Sequence, residues 1–141
     1  MIDYILTREN LIERELPEYI YITDETNETI IKNCIEFFNQ EIKWDGMFDL
    51  DEAKRRINNG DKFFTGYQNG MIFGYCWLTK LDTGHYIIYN VFSRKTEQPR
   101  TYGATDMLYY VIKHHTFGIV SAEVDDWNIK SINVFTKLGF I

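Results

Sequence analysis

The sequence predicts an α/β (α+β) chain with a mixed, mostly antiparallel sheet flanked by helices, and three observations carry that expectation. Three runs rich in strand formers, Lys62 to Gln68, Met71 to Leu81 and His85 to Ser93, are separated by Asn69-Gly70 and by Asp82-Thr83-Gly84, the spacing of an antiparallel meander. Segments with apolar residues at helical period stand before and after it. Beyond the meander come a helix, a strand and a helix, an order that brings one strand in parallel to a neighbour.

Taken in order, the chain opens on a polar lead-in holding Leu6, Leu11, Ile12 and Leu16, read as a short helix, and Pro17 ends it. Tyr19-Ile20-Tyr21-Ile22 then reads as a short aromatic and β-branched strand. Ile30, Ile31, Cys34, Ile35, Phe38 and Ile42 fall on one helical face, with Thr26 or Asn27 available as N-cap. A second, shorter helix is announced by Asp49-x-x-Glu52 and stopped by Asn58-Asn59-Gly60. Its Lys54-Arg55-Arg56 run is expected to be a solvated face. After the meander, Thr101 to His115 turns Met107, Leu108, Val111, Ile112 and His115 to one side, and Gly118 to Val124 forms a strand. A last helix, Asn128 to Leu138, points Ile129, Ile132, Phe135 and Leu138 inward and stops at Gly139.

Composition narrows the function classes. With 141 residues, 45% of them apolar and only 9 Gly and 2 Pro, one compact domain is expected over residues 1–141. The formal charge of −6 supplies no global basic field for a phosphate backbone, so no nucleic-acid partner is expected. No apolar run approaches the ~18 to 20 residues of a membrane span, and MIDYILTREN lacks signal-peptide character. No membrane partner is therefore expected, and the chain is read as soluble and cytoplasmic. Cys34 and Cys76 are too few for a disulfide framework or a zinc cage. His114-His115 lacks a matching Cys/His set, and Asp125-Asp126 lacks the alternating oxygen ligands of a calcium loop, so no metal is expected.

Chemistry points to two places. Between the meander and the next helix, Val91-Phe92-Ser93 leads through Gln98-Pro99 to Arg100-Thr101-Tyr102-Gly103-Ala104-Thr105, where small residues, a helix start and Arg100 favour an anion such as pyrophosphate. Near the C-terminus, Asn128, Ser131, Phe135, Lys137, Gly139 and Phe140 fall in register with a known signature, an Asn followed by a small residue, an aromatic and a Lys-x-Gly-Phe ending. In these residues, together with the element order, the chain resembles the GCN5-related N-acetyltransferase superfamily from about residue 19 onward.

The resemblance implies an acyl-CoA N-acyltransferase fold and the use of acetyl-CoA as co-substrate. It implies that the amides of Arg100, Thr101, Tyr102, Gly103, Ala104 and Thr105 hold the coenzyme pyrophosphate; a competing register begins at Gln98. Thr105 stands where the family has Gly or Ala and is available as a helix cap. It further implies that Val91, with Phe92 and Ser93, pairs with the pantetheine arm and the thioester carbonyl in an oxyanion-type site, and that Asn128 bonds the pantetheine from the far side of the split between the two parallel strands. A helix N-cap is the other role open to Asn128. Phe135 occupies the position of the family's usual Tyr acid and has no proton to give; Tyr86, Tyr89, Tyr102 or water are the substitutes.

A lysine-like amine of pKa near ~10.4 needs a base at neutral pH. His85 is the candidate, because strict alternation along the strand sets it on the face of Val91, at an offset where family members carry a Glu. A solvent-facing histidine at the hairpin end is the competing role, and Glu123 is the rival base. Trp44, Phe48, Tyr75 and Trp77 are candidates to line an acceptor groove. The function expected is direct acetyl transfer to a primary amine of a small molecule or peptide, with Cys34 and Cys76 taking no covalent part. The alternatives are a non-catalytic acyl-CoA-binding or protein-interaction module, and an adaptor without a coenzyme site. Because the family normally continues beyond the position of Ile141, the sheet is expected to lack its final strand or strands. An open edge would then invite a homodimer.

Overall fold

The computed structural model describes residues 2–15, 20–42, 49–82, 84–93 and 103–141. Its elements are β1 (Ile2–Leu6), β2 (Ile20–Asp24), α1 (Glu28–Ile42), α2 (Leu50–Asn58), β3 (Lys62–Gln68), β4 (Met71–Asp82), β5 (His85–Ser93), α3 (Ala104–His115), β6 (Ile119–Val124) and α4 (Ile129–Leu138). They form one six-stranded sheet of order β1-β6-β5-β4-β3-β2, antiparallel throughout except where β5 runs parallel to β6.

Local chemistry accounts for the element ends. Asn27 accepts from the amides of Thr29 and Ile30 at 2.9 and 3.3 Å, so Asn27 caps α1. Asp49 does the same for α2 through Glu52 N at 2.6 Å, a contact of about 1 kcal/mol. Asn69 and Gly70, at φ 51° and 78°, make the tight turn between β3 and β4. Gly139, at φ 106°, closes α4 while Phe140 N reaches back to Phe135 O.

The sheet is covered on both faces. On one, α3 and α4 bury Met107, Leu108, Val111, Ile112, Phe135 and Leu138 against Phe64, Cys76, Leu78, Tyr86, Ile88 and Val120. On the other, α1 and α2 bury Ile31, Cys34, Ile35, Phe38 and Ala53 against Phe63, Tyr75 and Trp77.

Three expectations change. The lead-in, expected as a helix, is the strand β1 followed by a 3₁₀ turn at Arg8–Asn10; Leu16, Pro17 and Tyr19 lie outside the described residues. β1 pairs antiparallel with β6 from Ile2↔Val124 to Leu6↔Val120, so the edge of β6 expected to be open is filled by the chain's own start. On its outer side β1 exchanges two bonds with Ile141, through Ile5, at 3.0 and 2.9 Å. Ile129, expected inward, is exposed, because Asn128 caps the helix and the core stripe of α4 begins only at Ile132.

Behind β1 the chain is strapped across α3. Arg8 donates to the Ile112 and Lys113 carbonyls, Glu13 accepts from Tyr109 and Lys113, and Arg14 pairs with Asp106 at 2.9 Å. The strap passes so close to the end of α4 that a β-carbon on Gly139 would meet the Asn10 carbonyl oxygen at 1.9 Å. Gly139→Ala is therefore expected to cost more than about 3 kcal/mol in urea unfolding, against roughly 1 kcal/mol for Gly60→Ala. Gly60 has a similar φ of 110° but open space around it.

Candidate functional site

The site is made by an irregularity in β5. Along β4, Cys76 pairs with Val91 and Trp77 with Asn90, but Leu78 pairs with Ile88, so Tyr89 is an extra residue on the β5 side, a β-bulge. It reverses the alternation: Tyr86 and Ile88 face α3 and α4 below the bulge and Val91 faces them above it, while Tyr89 and Phe92 pack toward α1 and α2.

Just where β5 bulges, it leaves β6. Parallel pairing covers His85↔Ile119, Tyr86↔Val120 and Ile87↔Ser121 and no more, though β5 continues to Ser93 and β6 to Val124. From Ile88 and Ala122 onward the two strands diverge into a cleft, and the facing edge of β5 has no strand partner among the described residues. Unpaired backbone groups on a strand edge are donors and acceptors ready for an extended ligand.

The cleft opens toward the start of α3. Gly103 is the N-cap of α3 and makes no side-chain cap bond, and a β-carbon built on it would lie 3.8 Å from the Ser93 hydroxyl. The first amides of α3 thus stand beside the end of β5 with no partner inside the helix, an arrangement suited to a phosphate. Asp106 in that first turn is held by Arg14, which offsets the carboxylate of that turn that would repel an anion.

The sequence-predicted site residues sort out as follows. Val91, Phe92 and Ser93 form the cleft wall on β5; Gly103, Ala104 and Thr105 open α3; Asn128 stands beyond the end of β6 on the other wall. Asn128 also fulfils its competing role, accepting from Ser131 N at 3.2 Å. Thr105 lies within the first turn and is not the cap. Arg100, Thr101 and Tyr102, like Trp44 and Phe48, lie outside the described residues. Phe135 is buried against Tyr4 and Phe140.

His85 is not brought to the bulge. It stands at the closed end of the cleft, with Nε2 3.2 Å from Ser121 Oγ, roughly 20 Å along the strand from Val91. The bulge also puts His85 and Val91 on opposite faces, so strict alternation misplaces it. Glu123 is exposed on β6 opposite Asp3.

Sequence reasoning missed the groups that do gather at the bulge on the α1/α2 face. Tyr89 donates to Glu52 Oε1 at 3.2 Å, and the Arg56 guanidinium lies 3.7 Å above the Tyr89 ring. Arg56, read as solvated, is also 3.9 Å from Asp61, which accepts from the Trp77 indole and the Thr79 hydroxyl. Asn90 Oδ1 is buried beside them without a hydrogen-bond partner among the described residues.

One row further along the same face, Tyr75 and Phe92 pair across β4 and β5 under α1. With Asn33, Cys34, Phe37, Ile72 and Gly74 they line a cavity of about 150 Å³. Tyr75 is 1% exposed, and its hydroxyl has no hydrogen-bond partner among the described residues, a deficit of about 1–3 kcal/mol. Burial holds that hydroxyl well above the ordinary phenol range, so it stays protonated. Trp77 is fully buried and is not among the residues that line this cavity.

Comparison with known proteins places this geometry. The model of the acetyltransferase (GNAT) family matches residues 12–140, and the chain belongs to that family. Its fold is similar to an aminoglycoside acetyltransferase from an uncultured soil metagenomic sample, solved with sisomicin, at 13% identity and TM-score 0.69 over 85% of this chain and 87% of that one. A GNAT-family acetyltransferase from Bacillus cereus gives 17% identity and TM-score 0.67 over 86% and 82%. One from Elizabethkingia anophelis, solved with acetyl-CoA, gives 14% and 0.63 over 86% and 75%. Among curated proteins none matches the sequence.

Neither cysteine is placed as a nucleophile. Cys76 is fully buried, and burial pushes its thiol up to about 12, leaving a thiolate fraction of about 10⁻⁴ at pH 8. The Cys76 thiol is expected to stay unmodified by a thiol-specific reagent in the native protein and to react at once in denaturant, as peptide mass mapping would show.

Proposed function

We propose that this member of the acetyltransferase (GNAT) family transfers the acetyl group of acetyl-CoA directly to a primary amine within a ternary complex. The observation that carries the reading is the cleft that starts at the Tyr89 bulge, where β5 and β6 part, and runs to the uncapped start of α3.

In this reading the pantetheine arm lies along the free edge of β5 at Val91 to Ser93, with Asn128 on the opposite wall. The pyrophosphate meets the first turn of α3 at Gly103, Ala104 and Thr105. The thioester carbonyl reaches the bulge, where an unpaired backbone amide stabilises the oxyanion. The amine nitrogen attacks the carbonyl carbon from the α1/α2 face; the C–N bond forms, the C–S bond breaks, and coenzyme A leaves as thiolate. Glu52, fixed at the bulge by the Tyr89 hydroxyl, takes the ammonium proton directly or through water. Phe135 carries no hydroxyl, so the departing thiolate takes its proton from water in the open cleft.

That missing hydroxyl favours a second reading, a chain that binds acyl-CoA without turning it over. Two measurements separate the readings. Acetyl-CoA at ~100 times its dissociation constant is expected to stabilise the fold by roughly 2.7 kcal/mol in a thermal melt, and Gly103→Glu, which sets a carboxylate at the start of α3, is expected to abolish the shift. Release of free coenzyme A thiol in the presence of a primary amine supports the transferase; a melt shift without release supports the binding module, and no shift at millimolar ligand removes both.

A further inference from the structure

Asp106 is the third residue of α3, a position from which an acidic side chain commonly reaches back to the amide at the helix cap. Here it does not. Arg14 Nε and Nη2 both donate to its Oδ1, at 3.2 and 2.9 Å. Among the described residues no backbone amide donates to Asp106, and the cap residue Gly103 brings no side chain of its own. The carboxylate that could close the start of α3 is thus drawn aside by a residue from the other end of the chain.

Arg14 arrives there because the segment that carries it is pinned along α3. Arg8 donates to the carbonyls of Ile112 and Lys113 in the last turn, and Glu13 accepts from Lys113 at 2.8 Å. Arg14 follows directly. The pair it makes is sheltered, with 10% of the Asp106 side chain and 34% of the Arg14 side chain exposed, so salt screens it less than a pair in open water. Asp106 lies one turn from Gly103, about 5 Å along the helix axis. Its charge, and that of Arg14, therefore act on whatever stands at the start of α3, which in the transfer reading is the coenzyme diphosphate.

We propose that Arg14 sets the affinity for the coenzyme: by holding Asp106 it neutralises the carboxylate of the first α3 turn and keeps that carboxylate off the amides the diphosphate needs. Arg14 is a positioning residue, acting through Asp106 and making no contact with substrate. The inference rests on the coenzyme placement of the transfer reading, and it does not depend on turnover. Its signature is a sign. Wild type carries a balanced pair; loss of Arg14 leaves a net negative charge at the helix start, loss of Asp106 a net positive one, and loss of both restores the balance. A pair that served only to hold the fold together would weaken binding whichever partner was lost.

The test is calorimetric titration of coenzyme A into wild type, Arg14→Met, Asp106→Asn and the double variant. Arg14→Met is expected to weaken binding about 10-fold and Asp106→Asn to strengthen it about 3-fold. The double variant is expected to return to within ~3-fold of wild type, and the gap between the single variants is expected to narrow in high salt. Pantetheine, which lacks the phosphates, is expected to distinguish none of the four. If Arg14→Met does not fold, the contrast between Asp106→Asn and the double variant carries the same sign. Arg14→Met binding coenzyme A as wild type does, or both single variants binding it more weakly, overturns the proposal. Binding in the expected order with no thiol release from acetyl-CoA in the presence of a primary amine sinks the transfer reading and leaves the role of Arg14 standing. Wild type that takes up no coenzyme A overturns the proposal together with the placement on which it rests.

Discussion

The ladder between β4 and β5 holds one residue too many on the β5 side, and most of what surrounds the candidate site depends on how that surplus is absorbed. A strand that bulges twists more strongly and bends away from its neighbour. On one side of β5 the partner is the long β4, whose pairing resumes beyond Tyr89 and keeps the sheet whole. On the other side the partner is β6, joined over three residue pairs only, so β6 is the strand that gives way. The resulting gap lies inside the sheet, with a row of backbone groups along one wall that have no strand partner among the described residues, and α3 starts at its mouth.

The bulge also decides which side chains face which layer. Without it, alternation from Ile88 would carry Asn90 toward α3 and α4 and Val91 toward α1 and α2. With it, Tyr89 and Asn90 both turn to the α1/α2 face. Tyr89 meets Glu52 and Arg56 there, and Asn90 is left with a buried oxygen unpaired. The same face, one row on, holds Tyr75 over the cavity. With Arg56 Nε, Asn90 Oδ1 and the Tyr75 hydroxyl, this face holds three buried polar atoms without hydrogen-bond partners among the described residues, a cost to the folded protein.

A gap inside a sheet weakens it, and the N-terminal segment compensates. β1 completes β6 on the side away from the cleft, so that β6 stays paired along Val120 to Val124 after losing β5. The strap that follows clamps α3 through Arg8, Glu13 and Arg14. Two of these anchors sit at the C-terminal turn of α3, and the third, on Asp106, holds the first turn at the mouth of the cleft. These contacts are partly exposed and individually small; together they fix the position of the helix whose free amides face the cleft.

The sequence by itself determined the meander and its turns, the caps of α1 and α2, the stop of α4 at Gly139, and the resemblance that family membership upholds. Each is written in local chemistry: period 2 or 3.6, Asn and Asp at helix starts, Gly where φ must be positive. It did not determine β1, since IDYIL is too short to tell from a frayed helix until β6 offers it an edge. Nor did it show that Arg56 stacks on Tyr89, for a helical Arg run reads the same whether solvated or packed. Only the tertiary structure decided where the bulge falls, and with it that His85 stands at the closed end of the cleft while Tyr89 meets Glu52 and Arg56 on the α1/α2 face. The reason is physical. A bulge is a misfit between two strands, a property of their pairing that neither strand's own sequence contains.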